Sequence, residues 1–151
     1  KQRIDKTGIA VGLVDAVERE VRSHGFHVLA REILDENAAE RFRRHARGGN
    51  WGKDDYPVDG GSPALFLIAF DPAPTRVRRR FARRYPDMDN GRIVAKRAIR
   101  DAVNEALPEN ERANFLHTSD NRDEAWEYLR IAWPERVAAL RSELGARAEQ
   151  L

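Results

Sequence analysis

Seven consecutive apolar residues, Ala64-Leu65-Phe66-Leu67-Ile68-Ala69-Phe70, stand in a chain that is 34% charged. A run without polar alternation is what a central strand covered on both faces requires. The stretches around it read as further strands and helices. Gly8 to about Ser23 carries Leu13, Val14, Val17 and Val21 on one stripe and predicts a helix, with Gly25 as its left-handed cap. Phe26 to Leu34 alternates as a strand, Phe26, Val28 and Ala30 on one side and His27, Leu29 and Ile33 on the other, with His27 half-buried. Asp35 opens a helix carrying Ala38, Ala39, Phe42 and Ala46, and Gly48-Gly49 stops it before a polar loop with Trp51, Pro57, Gly60 and Gly61.

After the apolar run, Asp71-Pro72-Ala73-Pro74 turns the chain into a helix to Arg84 with Val77 and Phe81 inward. Ile93 to Leu107 reads as another helix, Ala113 to Leu116 as a short strand, and residues 134–151 as a polar helix or tail. The order β-α-β-α-β-α-α-β-α over 151 residues implies one α+β domain, residues 1–151, with helices over one sheet. Cysteine is absent, which excludes a disulfide framework and thiolate metal sites. No apolar run is long enough to cross a bilayer and no secretory pattern is present, so a cytoplasmic domain without a membrane partner is expected.

The net charge is only +2 but uneven. Arg76, Arg78, Arg79, Arg80, Arg83, Arg84, Arg92, Lys96, Arg97 and Arg100 face only Asp87 and Asp89 in their stretch. Arginine suits bidentate phosphate contacts, so the partner expected here is phosphate, of a nucleotide or of a nucleic acid.

The segment Asn114-Phe115-Leu116-His117-Thr118-Ser119-Asp120-Asn121 is the chemical focus. Ser119 or Asp120 can N-cap the next helix, marked by Ala125, Trp126, Leu129 and Trp133. An imidazole at a strand end beside a helix N-terminus is suited to accept a phosphoryl group.

These residues resemble the nucleoside diphosphate kinase family. Asn114, His117, Ser119 and Asp120 reproduce its Asn-x-x-His-x-Ser-Asp motif. The stretch from Ile4 to Val14 aligns without a gap to the family's Lys-Pro-Asp and Gly-Leu-Val segments. His24-Gly25-Phe26 matches its Lys-Gly-Phe turn, Ser62-Pro63 its Gly-Pro, and Ile99-Arg100 its Ile-Arg. The likeness is collinear from about Ile4 to Glu135.

The resemblance implies a ferredoxin-like βαββαβ sandwich with an antiparallel four-stranded sheet. It implies a ping-pong transfer of the terminal phosphate of ATP, arriving with Mg²⁺, to a nucleoside diphosphate through a phosphohistidine. It further implies nucleoside di- and triphosphates as partners, a homo-oligomer, and no protein metal site. His117 matches the nucleophile and Ser119 a residue beside it. Arg79 and Arg100 match phosphate contacts, Trp51 the aromatic stacked on the base, and Asn114 a sugar contact.

This chain departs from the family at several points. Asp5 stands at the family's phosphate-binding lysine, with Lys6 one residue later as its replacement. Tyr128 stands at the glutamate that orients the nucleophile, with Glu127 and Glu124 as alternative carboxylates. Thr118 replaces a glycine, and Arg43, beside Phe42, a tyrosine. A slow enzyme is therefore expected, which Tyr128→Glu would accelerate. Two other readings compete: a nucleotide-binding module without turnover, and an Arg-rich nucleic-acid-binding domain, the less favoured partner class.

Overall fold

The computed structural model describes residues 11–47, 56–57 and 63–148. Helix α1 (Val11–Ser23) ends as its sequence predicts. Gly25 has φ 82°, its N–H donates to the Arg22 carbonyl, and the Phe26 N–H reaches back to Val21. That pair of bonds is a Schellman closure, which needs a left-handed residue at the position Gly25 occupies. Strand β1 (His27–Ile33) follows, then α2 (Glu36–His45), whose Asp35 carboxylate accepts the Ala38 N–H at 2.7 Å. Strand β2 (Leu65–Phe70) is the apolar run.

β1 and β2 pair antiparallel, from His27 opposite Phe70 to Ile33 opposite Leu65. The register slips between Val28 and Ala30. The extra residue breaks the expected alternation: Leu29 and Ala30 pack into one cluster and Val28 into another. His27 is exposed, not half-buried.

Helices cover both faces of this pair. Leu67 and Val28 pack against Val17 and Val21 of α1 and Ile99 and Val103 of α4 (Ala95–Glu105). Phe66 and Ile68 face the other way, toward Leu129 of α5 (Arg122–Ala132), Trp133 and Leu140 of α6 (Val137–Ala148). Adjacent residues of β2 thus enter different cores, which explains why the run has no polar positions. Leu140 is the most deeply buried of the large side chains, at 1% exposure, so the C-terminal helix is part of the core and not a polar tail.

The four-stranded ferredoxin-like sandwich with helices over one sheet is not what the chain forms. Among the described residues the sheet has two strands, and the elements are six α-helices with three short 3-10 turns. The expected strand Ala113–Leu116 is reduced to a single bridge residue at Ala113. The reason is local. The buried Asn104 amide accepts the Ala113 N–H at 2.9 Å and donates to the Ala113 carbonyl at 3.1 Å, while Arg100 Nε donates to the Leu116 carbonyl at 2.6 Å. Side chains of α4 take backbone groups that a fourth strand would have used. Phe115 and Leu116 still pack beside Leu67, so the segment keeps its apolar role without its ladder.

Two helix boundaries also differ. Residues 74–78 are irregular, and helix α3 is only Arg79–Arg84. A 3-10 turn, Gly91–Val94, precedes α4. The predictions for Gly8–Ala10, Gly48-Gly49, Gly60 and Gly61 lie outside the described residues.

Candidate functional site

His117 is half-buried in the irregular segment between α4 and α5. Two cations of α4 act on it, Lys96 and Arg100, four residues apart and so on one face of that helix. On its other side lies Tyr128 of α5, with its hydroxyl 3.4 Å from Nε2 and the two rings 6.2 Å apart. Burial is the main force lowering the His117 pKa, and the charges of Lys96 and Arg100 lower it further against weaker pulls from Glu124 and Asp120. The imidazole is therefore neutral at neutral pH, the form in which a ring nitrogen can act as a nucleophile.

Tyr128 is held in place from two directions. Its ring packs edge-on against Phe42, 5.1 Å between centroids, and Phe42 packs on Phe66, which packs on Trp133. This chain of aromatic contacts runs from the core strand to the site. Each contact is worth about 0.5–1.5 kcal/mol beyond area burial. The hydroxyl lies 2.7 Å from Glu124 Oε1 and 2.8 Å from the Arg47 carbonyl, both acceptors for its proton. Burial, then Glu124, raises the phenol pKa, so Tyr128 stays neutral.

Glu124 is 8% exposed and heavily partnered. Arg47 grips both of its oxygens, at 2.6 and 3.0 Å, and reaches Asp120 at 2.7 Å. Asp120 also binds Lys96 at 2.9 Å. Burial pushes both carboxyls up, but the hydrogen bonds outweigh it and both end below their usual values. Lys96 and Arg47 do this for Asp120; Arg47, the Asp120 N–H and Tyr128 do it for Glu124.

The helix end beside His117 is already filled. Asn121, not Ser119 or Asp120, caps α5 by accepting the Glu124 N–H at 2.8 Å. Asp89 accepts the Arg122 N–H at 2.9 Å, and Glu124 accepts the Asp120 N–H at 2.5 Å. Glu124, three residues after the cap, thus accepts from the residue before the cap and not from the cap itself, as it would in a capping box. An anion at this site must therefore be held by side-chain cations and not by the α5 N-terminus.

The predicted residues separate into three groups. His117, Arg100 and Tyr128 come together. Ser119 and Asn114 are half-buried in the same segment. Arg79 stands exposed at the start of α3 and is not among the charges that act on His117. Lys6 and Trp51 lie outside the described residues. Of the two alternative carboxylates, Glu124 is at the site and Glu127 is exposed on α5. The Thr118 hydroxyl is buried without a hydrogen-bond partner among the described residues.

Sequence reading missed Lys96 and Arg47 as site residues. The four-residue spacing to Arg100 could have flagged Lys96. Arg47 has no such signal, because it reaches α5 across 77 residues of chain.

Among the described residues no group of three or more His, Asp or Glu is placed to hold a metal ion, and no helix is long and apolar enough to cross a membrane. No family model, curated protein or solved structure matches the chain.

Proposed function

We propose that this protein moves a phosphoryl group through His117, taking the terminal phosphate of an Mg²⁺-bound nucleoside triphosphate and passing it to a nucleoside diphosphate. The observation that carries the reading is the contact of Tyr128 with His117 Nε2, backed by Glu124. In this arrangement the Nε2–H points at the phenol oxygen, whose own proton is given to Glu124, and Nδ1 is the nucleophile. Apo hydrogen bonds at catalytic sites are often long and tighten with substrate, which suits the 3.4 Å separation.

Nδ1 forms a bond to the terminal phosphorus as the bond to the bridging oxygen breaks, and the diphosphate leaves with that electron pair. The ring gains positive charge, which the Tyr128 oxygen and the Glu124 carboxylate stabilise through Nε2–H. Lys96 and Arg100 neutralise the transferring phosphoryl oxygens. A second diphosphate then takes the group by the reverse step. The nucleoside diphosphate kinase motif around His117 supports this reading through the site, not through the fold.

The test is incubation with γ-labelled ATP. An acid-labile, base-stable label should appear on the protein, be chased by nucleoside diphosphate, and be absent from His117→Ala. Transfer that persists in His117→Ala would remove the phosphohistidine altogether.

A further inference from the structure

The stretch from Arg76 to Arg84 gathers Arg76, Arg78, Arg79, Arg80, Arg83 and Arg84, all exposed. Among the described residues none of these six guanidinium groups is in an ion pair. By contrast Arg22, Arg31, Arg43, Arg44, Arg47 and Arg92 each hold a carboxylate. The acids near the strip are committed to other groups. Asp71 binds Arg92 and Asn90, Asp87 faces Arg47, and Asp89 accepts the Arg122 N–H. Six like charges within nine residues repel one another, and no ion pair among the described residues offsets that repulsion.

The strip is also a fixed wall. The Gly91 N–H donates to the Thr75 carbonyl at 2.7 Å, and the Asn90 side chain accepts the Thr75 N–H at 3.1 Å. Between the strip and the start of α4 lies a cleft of about 460 Å³, lined by Arg76, Arg78, Arg80 and Phe81 on one side and by Arg92 and Ala95 on the other. Arg80 lies over the Phe81 ring at 4.7 Å and Arg84 over Tyr85 at 5.4 Å, so two of the guanidinium groups rest against aromatic rings. Ala95 and Ala98 line this cleft, whereas Lys96 and Arg100 face His117. At about 100° per residue the two pairs are about 150° apart around α4, so the cleft and the histidine site lie on different sides of that helix.

We infer that this cleft binds the phosphodiester backbone of a single-stranded nucleic acid. Arginines without an ion pair supply the charge, and the Phe81 ring and the guanidinium groups that line the cleft are the kind of surface on which unpaired bases stack. A duplex reader needs a helix that projects into the major groove, and α3, with six residues beside a concave wall, does not offer one. A membrane surface needs an apolar face to insert, whereas the apolar residues of this stretch, Val77 and Phe81, are half-buried and stand among exposed arginines. This site is independent of phosphoryl transfer at His117.

The test is fluorescence anisotropy of a labelled oligo-dT with the full chain across a salt series. Each phosphate contact to a single strand contributes a log–log salt slope of about −0.7. Replacing Arg76, Arg78 and Arg80 together by Gln should therefore flatten the slope by about 2 and weaken binding about 100-fold at 0.1 M salt. Arg130→Gln, an exposed arginine on α5, should leave binding unchanged, and thermal melts of all variants should coincide with wild type. The inference is overturned by no oligo-dT binding at low salt, by an unchanged slope in the triple variant, by tighter binding to duplex than to single strand, or by strip-dependent capture on phosphatidylserine vesicles without oligonucleotide binding.

Discussion

The Tyr128 hydroxyl bridges His117 and Glu124: it lies 3.4 Å from the imidazole Nε2 and 2.7 Å from the carboxylate. A phenol thus occupies the position where the sequence comparison expected a carboxylate, and the carboxylate sits one helical turn earlier on the same face of α5. The expectation that Tyr128→Glu accelerates the reaction is revised accordingly. A carboxylate at 128 would face Glu124 across a short gap, and two like charges there would disfavour one another.

Tyr128→Phe keeps the ring packing on Phe42 and removes only the hydroxyl. The rate of His117 labelling should fall about three- to tenfold, the kinetic equivalent of one hydrogen bond of about 0.5–1.5 kcal/mol. Binding of nucleoside diphosphate, measured by calorimetry, should change less than the rate. Equal losses in both would mean that the phenol acts on binding and not on the transferred group.

The pH dependence follows from the direction of the His117 shift. Burial, Lys96 and Arg100 hold its pKa below 6.5, so the neutral nucleophile persists into mildly acidic solution. The acid limb of the labelling rate should inflect below about 6.5, the free-histidine value. Removing the second contributor, as in Lys96→Gln, should move that inflection upward. Titration of the His117 ring protons by NMR checks the assignment.

Arg47→Ala should destabilise the fold by about 1–2 kcal/mol in urea titrations. The figure is at the low end for charged hydrogen bonds because the guanidinium is 56% exposed and partly screened. The sign with pH is fixed by Asp120 and Glu124, whose folded pKa values are depressed. Their contribution is full above the unfolded carboxyl range of about 4 and is lost as pH falls through the lower folded values. Wild type and Arg47→Ala should therefore differ most near neutrality and converge in acid.

Gly25→Ala forces a side chain into a left-handed backbone and onto the Arg92 guanidinium, which lies against Gly25 and donates to the His24 carbonyl. A loss of about 1–2 kcal/mol is expected from the backbone alone. It should appear as a lower Tm with the labelling rate retained, because Arg92 and Gly25 lie away from His117.

Helical stripes and the two turn signals at Gly25 and Asp35 were the most legible part of the sequence, whereas the cap of α5 fell at Asn121, beyond the Ser119 or Asp120 expected. The α1 stripe, the Gly25 closure, Asp35 at the start of α2 and the two-faced burial of β2 follow from local spacing alone. Residues 74–78 and 113–116 were not legible for a shared reason. Each satisfies its backbone with distant side chains, Asn90 in one case and Asn104 and Arg100 in the other, and periodicity does not report such partners. The resemblance singled out His117 and Tyr128, and the fold brings these two side chains within 3.4 Å of each other. The pairing of Arg47 with Glu124 depends on tertiary folding and leaves no local trace.

The Asn104 amide has a further consequence for motion. A strand edge closes again by zipping along its neighbour, whereas the backbone before His117 is held by separate side chains of α4, Asn104 at Ala113 and Arg100 at Leu116. When the Asn104 rotamer turns, the Ala113 N–H and carbonyl are released together. Isotope exchange at the Ala113 amide should thus report how often the chain ahead of His117 lets go there, at a free energy below that of whole-chain opening. At Ala113 the opening of this segment is then timed by the dwell of a single buried carboxamide.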